Sequence, residues 1–517
     1  MDIREIRHFH PCGGLGGGAK GFNLARAGVG SLTARFRCIG GFDNDPAACR
    51  DFQHLTGVPL TRLDLFSRDQ YIQYHGHLPP TEWREATVAD VHRAAGNERP
   101  HIIFCSMPCK GFSGLLSERA SLTPKYQALN ALALRGILLC LEAWADDPVE
   151  FILFENVPRI ASERGRHLLD QIEQLLSHYG YASAETTHDC GELGGLAQSR
   201  KRFLLVARHL EKVPPYLFEP VKRSLRPVGE ILERCPLPGD LKAGPMHRIP
   251  ALQWKTWVRL AFVQAGKDWR SLKRLAVEGG VLRDFAITRS YPGNYGVCAW
   301  TAPMGTVTGE ALPSNGTFSV ADPRFGRGTQ GTDSQSINAR APDPTIRAKY
   351  RVTHFAESTG TVIAGSTTGE GAFAVADPRP TIHLAEQGRF LNASHNRRRH
   401  SDSVSTRETL PLASDRLVCV IRAEDSTWHR PFTTYELAVF QSLIEPEEQL
   451  ELDGLSDSAW RERIGNAVPS KAATAIAEVI GLTLLLTWTG ETFVLGATPI
   501  WVRPIAIAVS LSRKLPS

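Results

Sequence analysis

Several short stretches of this chain hold side chains able to act on a polarised ring or carbonyl. In Phe104-Cys105-Ser106-Met107-Pro108-Cys109-Lys110-Gly111-Phe112-Ser113-Gly114, Pro108 and Gly111 turn the chain sharply. The turn follows an apolar run, His101 to Phe104, that reads as a buried strand. Cys109 therefore stands on a loop at a strand's carboxyl edge, where open α/β sheets place reacting groups. A small buried hydrophobe is its other reading. Glu155-Asn156-Val157-Pro158 follows a second apolar run, Val149 to Phe154. A carboxyl group buried there would hold a proton at neutral pH and donate it, whereas on the surface it would be a loop glutamate. In Gln198-Ser199-Arg200-Lys201-Arg202, strand alternation puts Arg200 and Arg202 on one face, opposite Lys201. Two adjacent guanidiniums suit a carbonyl oxygen, a carboxylate or a phosphate; a solvated edge strand with gatekeeper charges also accounts for them.

The elements that must position these groups alternate between strand and helix. Ile6 to Phe9 reads as a strand running into Pro11-Cys12-Gly13-Gly14-Leu15-Gly16-Gly17-Gly18-Ala19-Lys20-Gly21-Phe22, with a helix from Phe22 to Ala27. Glycines between a strand and a helix let backbone approach an anionic ligand, although a plain flexible turn has the same composition. The next strand, Phe36 to Phe42, ends at Asp43-Asn44-Asp45, the distance at which a nucleotide-binding unit sets a carboxylate on ribose hydroxyls. Asp43 is that candidate, because Asp45 before Pro46 reads as a helix N-cap. Asp64, after a short apolar segment, is placed either to meet an adenine amino group or as a solvated turn residue. Tyr126 to Trp144 reads as a crossover helix, followed by a strand (149–154), a helix (167–179) and a strand (182–187). Later, Thr434 reads as the cap of a helix within Arg430 to Gln441, and Arg463-Ile464-Gly465-Asn466-Ala467-Val468-Pro469 leads into a helix from Ser470 to Ile480. Both of these stretches admit a purely structural role.

At 517 residues, two or three lobes with an ample core are expected. The ten cysteines form no CxxC pair, so neither a zinc site nor a disulfide framework is indicated and no metal is expected. Residues 1–5 lack the features of a signal peptide. The apolar run 493–512 is interrupted by Pro499, Arg503 and Pro504, so no membrane span is expected there. Residues 211–428 hold 29 Lys and Arg against 21 Asp and Glu, a local net charge of +8 in a chain of net +5. A basic middle in a slightly acidic frame suggests contact with a polyanion. Within it, Trp254 to Leu282 is helical in pattern, whereas Ser290 to Arg379 is rich in Gly, Pro, Thr and Ser. Tyr295, Gly305-Thr306-Val307, Phe318 and Val320-Ala321-Asp322-Pro323-Arg324 recur 55 positions later, at Tyr350, Gly360-Thr361-Val362, Phe373 and Val375-Ala376-Asp377-Pro378-Arg379. Two such copies imply paired hairpin modules stacked on each other. His395-Asn396-Arg397-Arg398-Arg399-His400 is a basic loop, either a phosphate contact or a solvated linker.

Taken in order, Pro108-Cys109 with Gly111-Phe112-Ser113, Glu155-Asn156-Val157, Gln198-x-Arg200-x-Arg202 and Gly465-Asn466-Ala467-Val468-Pro469 resemble the signature of the DNA cytosine-5 methyltransferase family. The long basic insert before the last motifs matches as well. The resemblance implies an α/β fold: a Rossmann-like S-adenosylmethionine-dependent methyltransferase sheet with a smaller, β-rich target-recognition domain. It implies a catalytic and cofactor-binding domain at 1–210, target recognition at 211–429 with the repeat at about 291–379, a return at 430–481 and a tail at 482–517. The lobes would face each other across a basic cleft.

By the same resemblance, Cys109 is the thiolate that adds to cytosine C6, and Glu155 bonds and protonates N3. Arg202 with Arg200 holds O2 and orients the glutamate. Phe9, Gly13, Gly14, Gly16, Asp43, Asp64, Pro108 and Asn466 would form the S-adenosylmethionine site, and Pro108, Asn156, Gln198 and Arg202 would meet the flipped-out base. The implied partner is double-stranded DNA, with a cognate restriction endonuclease as a further one. A monomer is expected, bacterial or phage-encoded, in the cytoplasm and nucleoid-associated through DNA. Three departures stand out. His8-Phe9-His10-Pro11 replaces the usual acidic residue two before the aromatic of the first glycine motif, in a loop one residue longer. Lys110 replaces the usual glutamine after the nucleophile, and the 55-residue repeat has no counterpart in the minimal pattern. Other readings are an RNA cytosine-5 methyltransferase and an inactive DNA-binding relative; the long basic insert favours DNA, and Cys109, Glu155 and Arg202 together favour activity.

Overall fold

In the computed structural model the described residues are 2–108, 123–215, 219–238, 240, 243–248, 250, 260–268, 277–278, 281–282, 297–304, 317–322, 372–376, 421–422 and 428–490. They divide into two compact units. The first comprises 1–195, 201–223 and 467–517, and the second 196–200 and 224–466. Residues 430–466, expected to return to the first lobe, thus lie in the second unit.

The first unit is built on strands β1 (Asp2–Pro11), β2 (Arg26–Val29), β3 (Leu32–Asp43), β4 (Thr61–Arg62), β5 (Ile102–Cys105), β6 (Phe151–Asn156), β7 (Tyr181–Asp189) and β8 (Lys201–His209). They form one sheet in the order β2-β3-β1-β5-β6-β8-β7, with β4 also paired to β3. Strands β3, β1, β5 and β6 are parallel neighbours; β8 runs antiparallel between β6 and β7. The chain leaves β1 toward β3 and returns on the other side as β5, so the order reverses between β1 and β5. Loops after those two strands open at a topological switch point, the crevice where open α/β sheets bind ligands. The glycine loop follows β1, and Pro108 follows β5.

The central strands read as near-continuous apolar runs because both faces are covered. On one face Phe9, Phe42, Ile103, Ile152, Phe154 and Leu205 pack with helices that include Pro124–Ala143 and Glu163–His178. On the other, Ile6, Phe36, Ile102, Phe104, Leu153 and Leu204 pack with Gly17–Leu24 and Ser470–Thr489. A Cβ on Gly21 would lie 2.2 Å from the Ser470 carbonyl, so only glycine lets these two helices touch. Among the described residues one helical stretch, Asp457–Thr489, is long and apolar enough to cross a membrane, and half of its apolar window is buried in the protein. In the first unit its later part is a core helix, with Ala473, Ile476, Ala477, Ile480 and Leu484 wholly or almost wholly buried.

In the second unit, Val297–Ala299, Thr317–Asp322, Ala372–Ala376, Trp428–Pro431 and Ile421–Arg422 form a five-stranded sheet. The repeat is visible in its register: Thr317 pairs with Ala372 and Phe318 with Phe373, in parallel and at the repeat's own offset. Equivalent strands of the two copies lie side by side in one sheet instead of stacking as hairpins. Val277–Glu278 and Val281–Leu282 pair antiparallel, so the helical pattern expected as far as Leu282 ends before them. The intervening Gly279-Gly280 is a hairpin signal that outweighs the apolar spacing. The basic loop 395–400 and the apolar run 493–512 lie outside the described residues.

Candidate active site

At the carboxyl edge of the first sheet, the Arg202 Nε donates to Glu155 Oε1 at 3.0 Å, with both side chains largely buried. The register explains the meeting. Glu155 stands opposite Leu204, so Arg202 is its diagonal neighbour on the same sheet face. Arg202 Nη1 also donates to the Lys201 carbonyl at 2.9 Å, which anchors the guanidinium on its own strand. A cation at this distance favours the ionised carboxylate. Burial alone was expected to act on Glu155; the structure adds a guanidinium at its side.

On the other side of Arg202 stands a residue not singled out in the sequence. His188 on β7 is its register partner, and burial, then the Arg202 charge, push its imidazole down to about 4. It is therefore neutral beside the guanidinium. Asn156, next in β6, is buried and accepts from the Val157 N–H at 2.9 Å, while its amide nitrogen has no partner among the described residues. Pro108 is half-buried at the end of β5, anchored by Ser106 N donating to the Pro11 carbonyl at 3.2 Å and by buried Met107 against Cys12. Cys109 and Lys110 lie outside the described residues.

Arg200 and Gln198 depart from expectation. β8 begins at Lys201, so Arg200 lies just before the strand that carries Arg202. Arg200 is buried and donates to the Gly465 carbonyl at 2.8 Å. Gln198 is wholly buried and donates to Gln441 Oε1 at 2.7 Å, and Gln441 donates to the Ile464 carbonyl at 3.3 Å. Direct contact of Gln198 with a substrate is thereby corrected: these side chains hold the end of helix Asp457–Asn466, satisfying carbonyls that a helix C-terminus leaves without intrahelical partners. Asn466, the last residue of that helix, is exposed.

Gln441 is itself fixed by helix Thr434–Phe440. Thr433, not Thr434, is its N-cap: Glu436 N donates to Thr433 Oγ1, and Thr433 N donates to Glu436 Oε2. The Thr-x-x-Glu spacing of this capping box was legible in the sequence. Glu436 also accepts two bonds from Arg430, at 2.8 and 2.9 Å, and both residues are wholly buried.

At the glycine loop the roles divide. Gly14 has φ +54°, and a Cβ there would meet nothing within 4 Å, so its backbone faces open space. A Cβ on Gly13 would press on Phe52, Leu60 and the His10 carbonyl at 3.0–3.3 Å, and Gly16, at φ +95°, packs on Phe52 and Thr56. Gly13 and Gly16 are there for close packing. Asp43 accepts from Gly14 N at 2.9 Å and Asp45 N at 3.1 Å, so it clasps the loop from the end of β3. Asp45 caps helix Pro46–Thr56 through Ala47 N. Asp64 accepts from Phe66 N at 2.9 Å and Trp83 Nε1 at 3.0 Å. Phe9, expected against a cofactor, is wholly buried with its ring edge-on to Phe42 and Trp144. Strand alternation turns it into the core, the reverse of the face that His8 and His10 occupy.

The family model for C-5 cytosine-specific DNA methylases matches residues 12–230, which hold the glycine loop, Asp43, Pro108, Glu155 and Arg202. Over those residues the chain carries the sequence pattern of that family. No curated protein matches the chain. Among solved structures, it is similar to the Entamoeba histolytica methyltransferase EhMeth, at 11% identity over 92% of this chain and 98% of that one, with TM-score 0.48. The S. pombe Dnmt2 methyltransferase gives 12% identity over 93% and 99%, with TM-score 0.42. A prophage-encoded putative DNA modification methyltransferase from E. coli gives 12% over 92% and 98%, with TM-score 0.40.

The cytosine-5 methylase family uses S-adenosylmethionine. The residues present fit that group: Gly14 offers bare backbone on open space at the switch point, and Asp43 and Asp64 each keep carboxylate lone pairs beyond those the chain occupies. The family implies a nucleic-acid substrate, and Glu155 and Arg202 stand together at the carboxyl edge of the sheet.

Proposed function

We propose that this methyltransferase modifies carbon 5 of a cytosine flipped out of double-stranded DNA. The ion pair between Glu155 and Arg202 carries the reading, because it unites two motif residues at the strand edge beside the one that leads to Cys109. When bound, S-adenosylmethionine supplies an electrophilic methyl group. The Cys109 thiolate bonds to cytosine C6, which makes C5 nucleophilic. Glu155 shares a proton with N3 as charge builds on the ring, and Arg202 keeps the carboxyl aimed and offers its remaining N–H groups to O2. Loss of the C5 proton then expels Cys109 as thiolate. Arg200 and Gln198 support the turn at Gly465-Asn466 instead of touching the base.

The choice of DNA rests on the +8 charge of residues 211–428, a segment long enough to follow a duplex backbone. Purified protein incubated with tritium-labelled S-adenosylmethionine should transfer label to duplex DNA. Label in transfer RNA and none in DNA would move the enzyme to the RNA branch, and label in neither would make it an inactive relative.

A further inference from the structure

Beneath the glycine loop, on the face of the sheet opposite Phe9, lies a cluster that methyl transfer does not use. His8 and His10 project from one face of β1, and Cys38 is the register partner of His8 on β3. All three are buried, and a ligand atom of each lies within 4.8 Å of the others. His8 Nδ1 and His10 Nε2 are 2.8 Å apart. Asn23 Oδ1 accepts from Cys38 N at 2.9 Å and lies 3.1 Å from His8 Nε2. Because that oxygen can only accept, His8 carries its proton on Nε2 and turns the bare Nδ1 lone pair into the cluster. An imidazole whose far N–H is held by a carbonyl is the arrangement that orients a metal-binding histidine.

We propose that His8, His10 and Cys38 form a buried site for one soft, monovalent metal ion of the copper(I) class. Thiolate and imidazole are the donors that such an ion selects. The charge also fits: a thiolate, two neutral imidazoles and a single positive charge sum to zero, suiting a shell formed by the rings of Phe22, Phe36, Phe52 and Phe104. Binding forms one metal–sulfur and two metal–nitrogen bonds. The Cys38 proton leaves to solvent, and the His10 proton moves from Nε2 to Nδ1. The rings now sit at hydrogen-bond distance, so loading moves them slightly apart. The sequence expectation of no metal was set by the absence of CxxC spacing, whereas these ligands come from two strands that only the sheet brings together.

The full-length protein should be titrated anaerobically with copper(I) against bicinchoninate, a coloured competing chelator, beside Cys38→Ser, His10→Phe and the control Cys49→Ser. Wild type and the control should each withdraw one more equivalent than the other two variants, and copper(I) should raise the thermal midpoint only in wild type and the control. His10→Phe keeps an aromatic side chain in its packing site, so it serves as the test if Cys38→Ser fails to fold. Equal stoichiometry in wild type and both variants would overturn the site. Cobalt(II), as a stand-in for a divalent ion, should give no thiolate charge-transfer band that Cys38→Ser removes; such a band would overturn the assignment to a monovalent ion.

Discussion

Breaking the ion pair of Arg430 and Glu436 should loosen the second unit where it holds the Gly465-Asn466 turn. Both residues are wholly buried, and two hydrogen bonds of 2.8 and 2.9 Å join them. Burial works to raise the Glu436 carboxyl, but Arg430 and then His247 outweigh it and hold it below the usual range. In Arg430→Met the carboxylate would stay buried without its main counter-charge, while Thr433 N still donates to it. Removing one partner of such a pair costs about 3–5 kcal/mol, whereas replacing both by apolar groups of similar volume is often near neutral. Because the chain has two units, global unfolding is a poor probe; amide exchange in Thr434–Phe440 reads the local effect. Arg430→Met and Glu436→Gln should each speed exchange about a hundredfold or more where it follows local opening, and Arg430→Met/Glu436→Leu should recover most of that loss. The reasoning fails if both single variants exchange like wild type, or if the double variant is no milder than the singles.

Arg202→Lys should lower the rate of methyl transfer by about 10²–10³, because an ammonium cannot hold Glu155 and a base oxygen with one planar fork; single-turnover kinetics at saturating cofactor would show it. Gly13→Ala should cost about 1–3 kcal/mol of local stability, read by amide exchange in Gly17–Leu24, and weaken cofactor binding, since its Cβ presses on Phe52, Leu60 and the His10 carbonyl; unchanged exchange would contradict the packing. Burial pushes His10 down to about 3 and His188 down to about 4, the latter helped by Arg202. The unfolded chain binds these protons from about pH 6.5 downward, so their share of stability is full above that pH. It falls by about 1.4 kcal/mol per pH unit for each histidine as the pH drops toward 4. Thermal midpoints from pH 7 to 5 should decline less steeply in His10→Phe than in wild type.

The strands and helices that frame the site were legible because their signals are local. Apolar runs bounded by glycine, proline and acids gave β1, β3, β5 and β6, and Asp45-Pro46 gave a cap that the structure contains. Roles that depend on which way a side chain faces were less so. Phe9 has the neighbours of a cofactor residue in sequence, yet strand alternation turns it into the core. Gln198 and Arg200 look like substrate groups, but Gln441 and the Gly465 carbonyl lie more than two hundred residues away in sequence and claim them. The His8, His10 and Cys38 cluster needed the register of β1 and β3, which no spacing along the chain reveals.

Methyl transfer to DNA through Cys109 is tested most directly in cells free of other cytosine methylation that express wild type or Cys109→Ser. DNA and RNA from each are digested to nucleosides and assayed for 5-methylcytosine by mass spectrometry. The predicted result is 5-methyldeoxycytidine in DNA with wild type and none with Cys109→Ser, although the variant still binds S-adenosylmethionine. Comparable 5-methyldeoxycytidine from the variant, or methylation confined to RNA, would contradict the account.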